Sequence, residues 1–258
     1  VSVINPLRNE NMKVIPCVVY IHGGGMSKYS CFYNNFQTLG RLIAHQGMVV
    51  VLPSFRNCQT PSEDGAEISK FPGGLNDCIS TVKWVYNHSD ELQIDKNRII
   101  IAGESGGGNL TIATALKLIQ QKEINMIYGI YSICPYLGGI YPNSKYPSTV
   151  DNAGIFLDYV INLDKPFYVT KYQSDGENLF ADKNIYAWPA FCSKDDLLEF
   201  PKTIIVVNEF DPLRDEGIDF YKKLQESSIP SKLQIIPGTI HGIGSYLVNI
   251  CPDISKQQ

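Results

Sequence analysis

The chain has 258 residues, 44% apolar and 19% charged, enough to close a sizeable core and unlike the composition of a disordered tail. With 22 basic and 26 acidic residues the formal charge is −4, which gives no polycationic footprint for nucleic-acid phosphates or an anionic membrane. Seven cysteines, at positions 17, 31, 58, 78, 134, 192 and 251, form no Cys-x-x-Cys pair and no His-paired spacing. That argues against a disulfide framework or a metal site and for scattered thiols in a reducing, cytoplasmic setting.

The chain opens on Val1 rather than Met, and Val1-Ser2-Val3-Ile4 reads as a strand with no legible signal peptide. Nearly continuous apolar runs at 17–21 and 48–52 have the composition of strands covered on both faces. Leu75, Cys78, Ile79, Val82 and Val85 then recur at three- and four-residue spacing, the buried stripe of a helix. A third buried strand is expected at 98–102, followed by a segment, 110–119, so apolar all round that it predicts a central helix. The longest uncharged stretch, 124–144, is broken by Gly129, Pro135, Gly138, Gly139 and Pro142. It reads as a strand at 127–133 running into a loop, since a membrane span needs about 20 predominantly apolar residues.

From Pro135 to about Phe200 the alternation breaks, and 7 of the 15 tyrosines lie between 136 and 186. A connection this long inside a compact domain, rich in aromatics, is read as an inserted lid with short helices at about 136–199. Strands at 203–207 and 233–236 flank a helix whose buried stripe is Ile218, Tyr221 and Leu224. This alternation predicts an α/β fold, a mostly parallel central sheet with helices on both faces, over one domain spanning 1–258.

Chemistry concentrates at the strand ends. The strand at 98–102 runs into Gly103-Glu104-Ser105-Gly106-Gly107 and then a helix, the strand-turn-helix context in which G-x-S-x-G exposes a nucleophilic serine on a strained turn. The same glycines lack the Lys-Ser/Thr ending of a P-loop and do not present G-x-G-x-x-G. Asn87 and Asn109 open formal glycosylation sequons, but Asn109 falls inside this motif and is expected to be buried. His22-Gly23-Gly24-Gly25 follows the strand at 17–21, and consecutive glycines can turn backbone N–H groups toward a ligand, as an oxyanion hole requires. Gly24 and Gly25, with the amide of Gly106, are the candidate donors.

Four histidines could act as the base. His45 and His88 sit in helical segments and His22 is read as bracing the glycine loop, whereas His241 follows the last strand, where open α/β sheets keep their sites. Asp211, just past the strand at 203–207, is the orienting acid, with Glu209 as its rival; Asp215 and Glu216 open the next helix and are expected to cap it or face solvent. The order Ser105, Asp211, His241 is that of the α/β-hydrolases.

These residues resemble the hormone-sensitive-lipase-like branch of the α/β-hydrolases, which contains many bacterial carboxylesterases. The resemblance runs through Tyr20 to Gly25, Phe71 to Asp77, Ala102 to Leu110, Ala187-Trp188-Pro189, Glu209 to Gly217 and His241-Gly242. The elbow departs from the common Gly-Asp-Ser-Ala-Gly at Glu104 and Gly106. The resemblance implies Ser105 as nucleophile, Asp211 and His241 as its partners, and Gly24, Gly25 and Gly106 as the oxyanion hole. It further implies a small-molecule ester substrate of short to medium acyl length, no metal or organic cofactor, no nucleic-acid partner and no integral membrane segment, with oligomeric state left open. An amidase or arylformamidase using the same triad is the enzymatic alternative. A non-catalytic receptor is the alternative of another class, weakened by the presence of His241. In such relatives the His-Gly-Gly-Gly loop lies behind N-terminal cap helices, so its arrival at residue 22 implies that the N-terminal cap is missing; the segment after His241 is also brief for a closing helix.

Overall fold

The computed structural model describes residues 1–7, 14–155, 171–174, 176–248 and 253. Seven strands form one sheet: β1 (Ser2–Ile4), β2 (Ile15–Ile21), β3 (Val49–Leu52), β4 (Ile94–Glu104), β5 (Gly129–Ile133), β6 (Thr203–Phe210) and β7 (Ser231–Ile240). Their spatial order is β1-β3-β2-β4-β5-β6-β7, every neighbouring pair parallel except β1 with β3. β2, β3 and the part of β4 from Ile99 onward are covered on both faces, so their sequence is nearly continuous in apolar residues with no polar alternation.

Helices α1 (Asn34–His45), α2 (Gly73–Asn87), α3 (Gly106–Gln120), α4 (Ser148–Asp151), α5 (Arg214–Glu226) and α6 (Ile243–Tyr246) pack around it. Leu75, Val82 and Val85 of α2, Leu110, Ile112 and Leu116 of α3, and Phe220 and Leu224 of α5 share one core with Val19, Ile101 and Ile205. Phe36 and Ala44 of α1 share the other with Tyr20, Val50, Ala102 and Val206 on the opposite sheet face. The expected central helix is α3, buried over nearly its whole length. Among the described residues no helix is long and apolar enough to cross a membrane.

Two boundaries differ from the sequence reading in ways that matter. β6 runs three residues further, to Phe210, and β7 four residues further, to Ile240. These extensions carry polar and glycine residues, Asn208, Glu209, Gly238 and Thr239, which hide a strand from an apolar-run criterion. They are held in the ladder across a bulge: Asn208 pairs with Ile236 and Phe210 with Ile240, leaving 237–239 to bow out at Gly238, whose φ is +69°. The pairing of Phe210 with Ile240 brings Asp211 and His241, each the next residue, side by side at the carboxyl end of the sheet.

Between β5 and β6 the described residues hold α4 and two single 3₁₀ turns, Pro189–Phe191 and Asp195–Leu197. Tyr159 and Tyr168, two of the tyrosines assigned to this insertion, lie outside the described residues. Its aromatics enter the main core: Trp188 is fully buried, with its ring centroid 5.3 Å from Tyr136 and 5.7 Å from Tyr172. Asn109 of α3 ties two parts of this segment together, its Nδ2 donating to Tyr136 O (2.8 Å) and Ala187 O (2.9 Å). Trp188→Ala should therefore lower the unfolding free energy in urea by about 3–5 kcal/mol. A loss under about 1 kcal/mol would mean that the insertion lies outside the cooperative core.

Candidate active site

Ser105 follows β4 directly, with φ 55° and ψ −120°. A non-glycine residue at positive φ costs on the order of 1–3 kcal/mol, and three backbone bonds hold it there. Its N–H donates to Ile133 O (2.9 Å), and its carbonyl accepts from Asn109 N (3.0 Å) and Tyr136 N (3.0 Å). The turn can close only over bare backbone, since a methyl group at Gly107 would stand 2.1 Å from Ile21 O.

Three side chains from three strand ends form one hydrogen-bonded line. Ser105 Oγ donates to His241 Nε2 (2.9 Å), and His241 Nδ1–H donates to Asp211 Oδ2 (2.8 Å). The second oxygen, Oδ1, accepts Leu213 N–H (2.8 Å), so the turn after β6 fixes the carboxylate plane. All three side chains are buried. Burial opposes a charge on His241, but the adjacent Asp211 carboxylate outweighs it and holds the imidazole well above its usual range.

The glycine loop lies against the elbow. A methyl group at Gly106 would stand 2.7 Å from Gly25 N and from Met26 N, which explains glycine where the resembled family has alanine. Gly24 and Gly25 have φ of +109° and +62°, and among the described residues the amides of Gly24, Gly25 and Gly106 meet no acceptor. His22 braces this loop: it stacks on Phe36 and Phe55 (5.1 and 4.4 Å between centroids) and donates Nδ1–H to Gly23 O (2.7 Å). Burial lowers its pKa to about 4, so it stays neutral.

The remaining candidates are placed elsewhere. Glu209 accepts Gly238 N–H (2.7 Å), where it pins the bulge of β7 and does not reach His241. His88 donates Nδ1–H to Trp84 O (2.9 Å) at the end of α2, and His45 closes α1. Glu216 corrects the sequence reading. It faces inward from the first turn of α5 and accepts from Leu137 N (2.7 Å), Gly138 N (2.7 Å) and Tyr141 Oη, because the insertion covers that face of the helix. Asp215 accepts Ser148 N–H (2.7 Å) from the same segment.

Two neighbours of the line were given no role by the sequence, although Glu104 stood out as a departure in the elbow. Cys134, directly after β5, presents its sulfur within 4.8 Å of the Asp211 and His241 ligand atoms. These three could in principle hold a soft cation, but Asp211 and His241 are already committed to each other, to Ser105 and to Leu213, and burial raises the Cys134 thiol so that it keeps its proton. Glu104, adjacent to the serine, is buried with Oε1 unpartnered, and burial pushes it up to about 8. A neutral carboxyl here leaves no negative charge to oppose an anion forming beside Ser105.

Residues 18–245 match the family described as alpha/beta hydrolase fold. The structure of esterase Est22 is 43% identical with a TM-score of 0.91, over 99% of this chain and 72% of that one. Brefeldin A esterase, described as a bacterial homologue of human hormone sensitive lipase, is 33% identical with a TM-score of 0.88, over 99% of this chain and 68% of that one. An arylesterase of Saccharolobus solfataricus is 28% identical over 93% of this chain and 71% of its own length.

The state of Glu104 sets a pH dependence. Below pH 4.5 folded and unfolded chains both hold its proton; from there to about 8 only the folded chain does, so the stability it contributes is full at low pH and is lost as pH rises through about 8. In Glu104→Gln the drop in urea-unfolding free energy between about pH 5 and pH 9 should shrink by on the order of 2–4 kcal/mol, leaving the similarly raised Glu216 to titrate. An unchanged drop would show that Glu104 is ionised in the fold.

Proposed function

Because the chain belongs to the alpha/beta hydrolase fold family, we propose that it is a serine carboxylesterase acting on short- to medium-chain carboxylic esters through an acyl-enzyme. The observation that carries this is the continuous line from Ser105 Oγ through His241 to Asp211, beside a glycine loop packed on the elbow whose amides, among the described residues, meet no acceptor. Esterases among its relatives support the substrate class.

In the reaction Ser105 Oγ attacks the ester carbonyl carbon while its proton passes to His241 Nε2. The carbonyl oxygen takes up the negative charge and is met by the N–H groups of Gly24, Gly25 and Gly106, dipoles already aimed and needing no reorganisation. Collapse breaks the ester C–O bond, and the alcohol leaves with the proton from Nε2. Water then attacks the acyl carbon, gives a proton to Nε2, and the carboxylic acid departs as that proton returns to Ser105. Asp211 keeps the imidazole in the tautomer with its proton on Nδ1 and stabilises the imidazolium formed in each half. The segment at 136–199 is read as the cover of this site, since Asn109 fastens both its arms beside the elbow.

Ser105→Ala should reduce turnover of p-nitrophenyl acetate or butyrate by about 10⁴-fold or more; wild-type turnover would refute the nucleophile. Asp211→Asn should cost up to about 10⁴-fold and move the acidic limb of kcat/KM to lower pH, because the charge that raises His241 is gone. Glu209→Gln should stay within about tenfold, and the reverse order of effects would reassign the acid.

A further inference from the structure

The Asp211 carbonyl lies just beyond the end of the β6–β7 ladder, so no strand supplies it with a donor. A buried carbonyl without donors is costly, and two groups meet this one. Arg214 N of its own turn donates at 3.0 Å. The second is Asn152, at the carboxyl end of α4 in the segment between β5 and β6, whose Nδ2 donates at 3.1 Å and also reaches Glu209 O at 3.3 Å. Ser148, four residues earlier, donates its Oγ–H to Pro212 O (2.9 Å), and Ser148 Oγ in turn accepts Asp215 N–H (3.1 Å). Three of the four carbonyls from 209 to 212 are thus held by α4 and its cap, from an element remote in sequence. Asn152 and Ser148 are buried.

The aim of Asp211 depends on that hold. Its Oδ1 is bonded to Leu213 N and its Oδ2 lies 2.8 Å from His241 Nδ1, so tilting the 209–214 turn carries Oδ2 off the imidazole. A displacement of about 1 Å in such an arrangement costs on the order of 10²-fold in rate.

We propose that Asn152 is a positioning residue for the reaction, seating Asp211 and coupling the acid to the segment that covers the site. This rests on Asp211 being the triad acid. Asn152 touches no reacting atom and acts through Asp211, so its contribution must vanish when that carboxylate is removed.

The test is a double-mutant cycle read in kcat and KM for p-nitrophenyl acetate. Asn152→Ala should lower kcat by about 10- to 100-fold with KM within about threefold. Asn152→Asp, nearly the same shape without the donors, should do the same. In an Asp211→Ala background, adding Asn152→Ala should lower the residual kcat by less than about twofold. Ser148→Ala, a smaller truncation on the same loop, should show the same dependence on Asp211 and serves where Asn152→Ala does not fold. Wild-type kcat in both Asn152 variants, or an equal loss in both backgrounds, would overturn the positioning role. Wild-type turnover in Asp211→Ala itself would overturn the triad reading, and this inference with it.

Discussion

The backbone hydrogen bond from Ser105 N–H to Ile133 O holds the rest of the site in place. It joins the first residue past β4 to the last residue of β5 and keeps Ser105 in a conformation that an isolated chain would leave. Everything around it follows from having to close so tight a turn. Gly107 lets the elbow press on the Ile21 and His22 carbonyls, Gly106 lets the glycine loop come within contact of the elbow, and α3 starts at once after Ser105. Strain on the order of 1–3 kcal/mol is small beside the burial of α3 and the central strands, so the fold carries it.

Register does for Asp211 and His241 what the elbow does for Ser105. Parallel strands end at one level, and the residues that follow them are neighbours: Cys134 beside Ser105, and Asp211 beside His241 once the bulge at 237–239 has been absorbed. Burial then sorts charges by need. His22 and Glu104 are held neutral, the first as a brace and the second next to Ser105, while Asp211 accepts from an imidazole and a backbone amide.

Much of this was legible in the sequence because the relevant signals are local. Strands buried on both faces read as apolar runs, and a strand, G-x-S-x-G and an all-apolar helix are consecutive in the chain. What was not legible depends on distant partners. Nothing local distinguishes Glu216 from a solvated first-turn carboxylate; its three donors come from residues 137–141, about 75 positions earlier. Polar ends of β6 and β7 hid the pairing that sets Asp211 beside His241, and Cys134 and Asn152 are ordinary residues until the sheet and the segment between β5 and β6 bring them to Asp211. Glu209 and Asp211 are two residues apart in a strand end, and only the bulge separates their roles.

The central claim is that Ser105 is a nucleophile made reactive by His241 and Asp211. The most direct measurement is intact-protein mass after reaction with diethyl p-nitrophenyl phosphate, followed by peptide mapping. One diethylphosphoryl adduct per chain is expected, located on Ser105 and formed much more slowly when His241 is replaced by Ala. An adduct on another residue, or labelling of Ser105 at the same rate without His241, would contradict it.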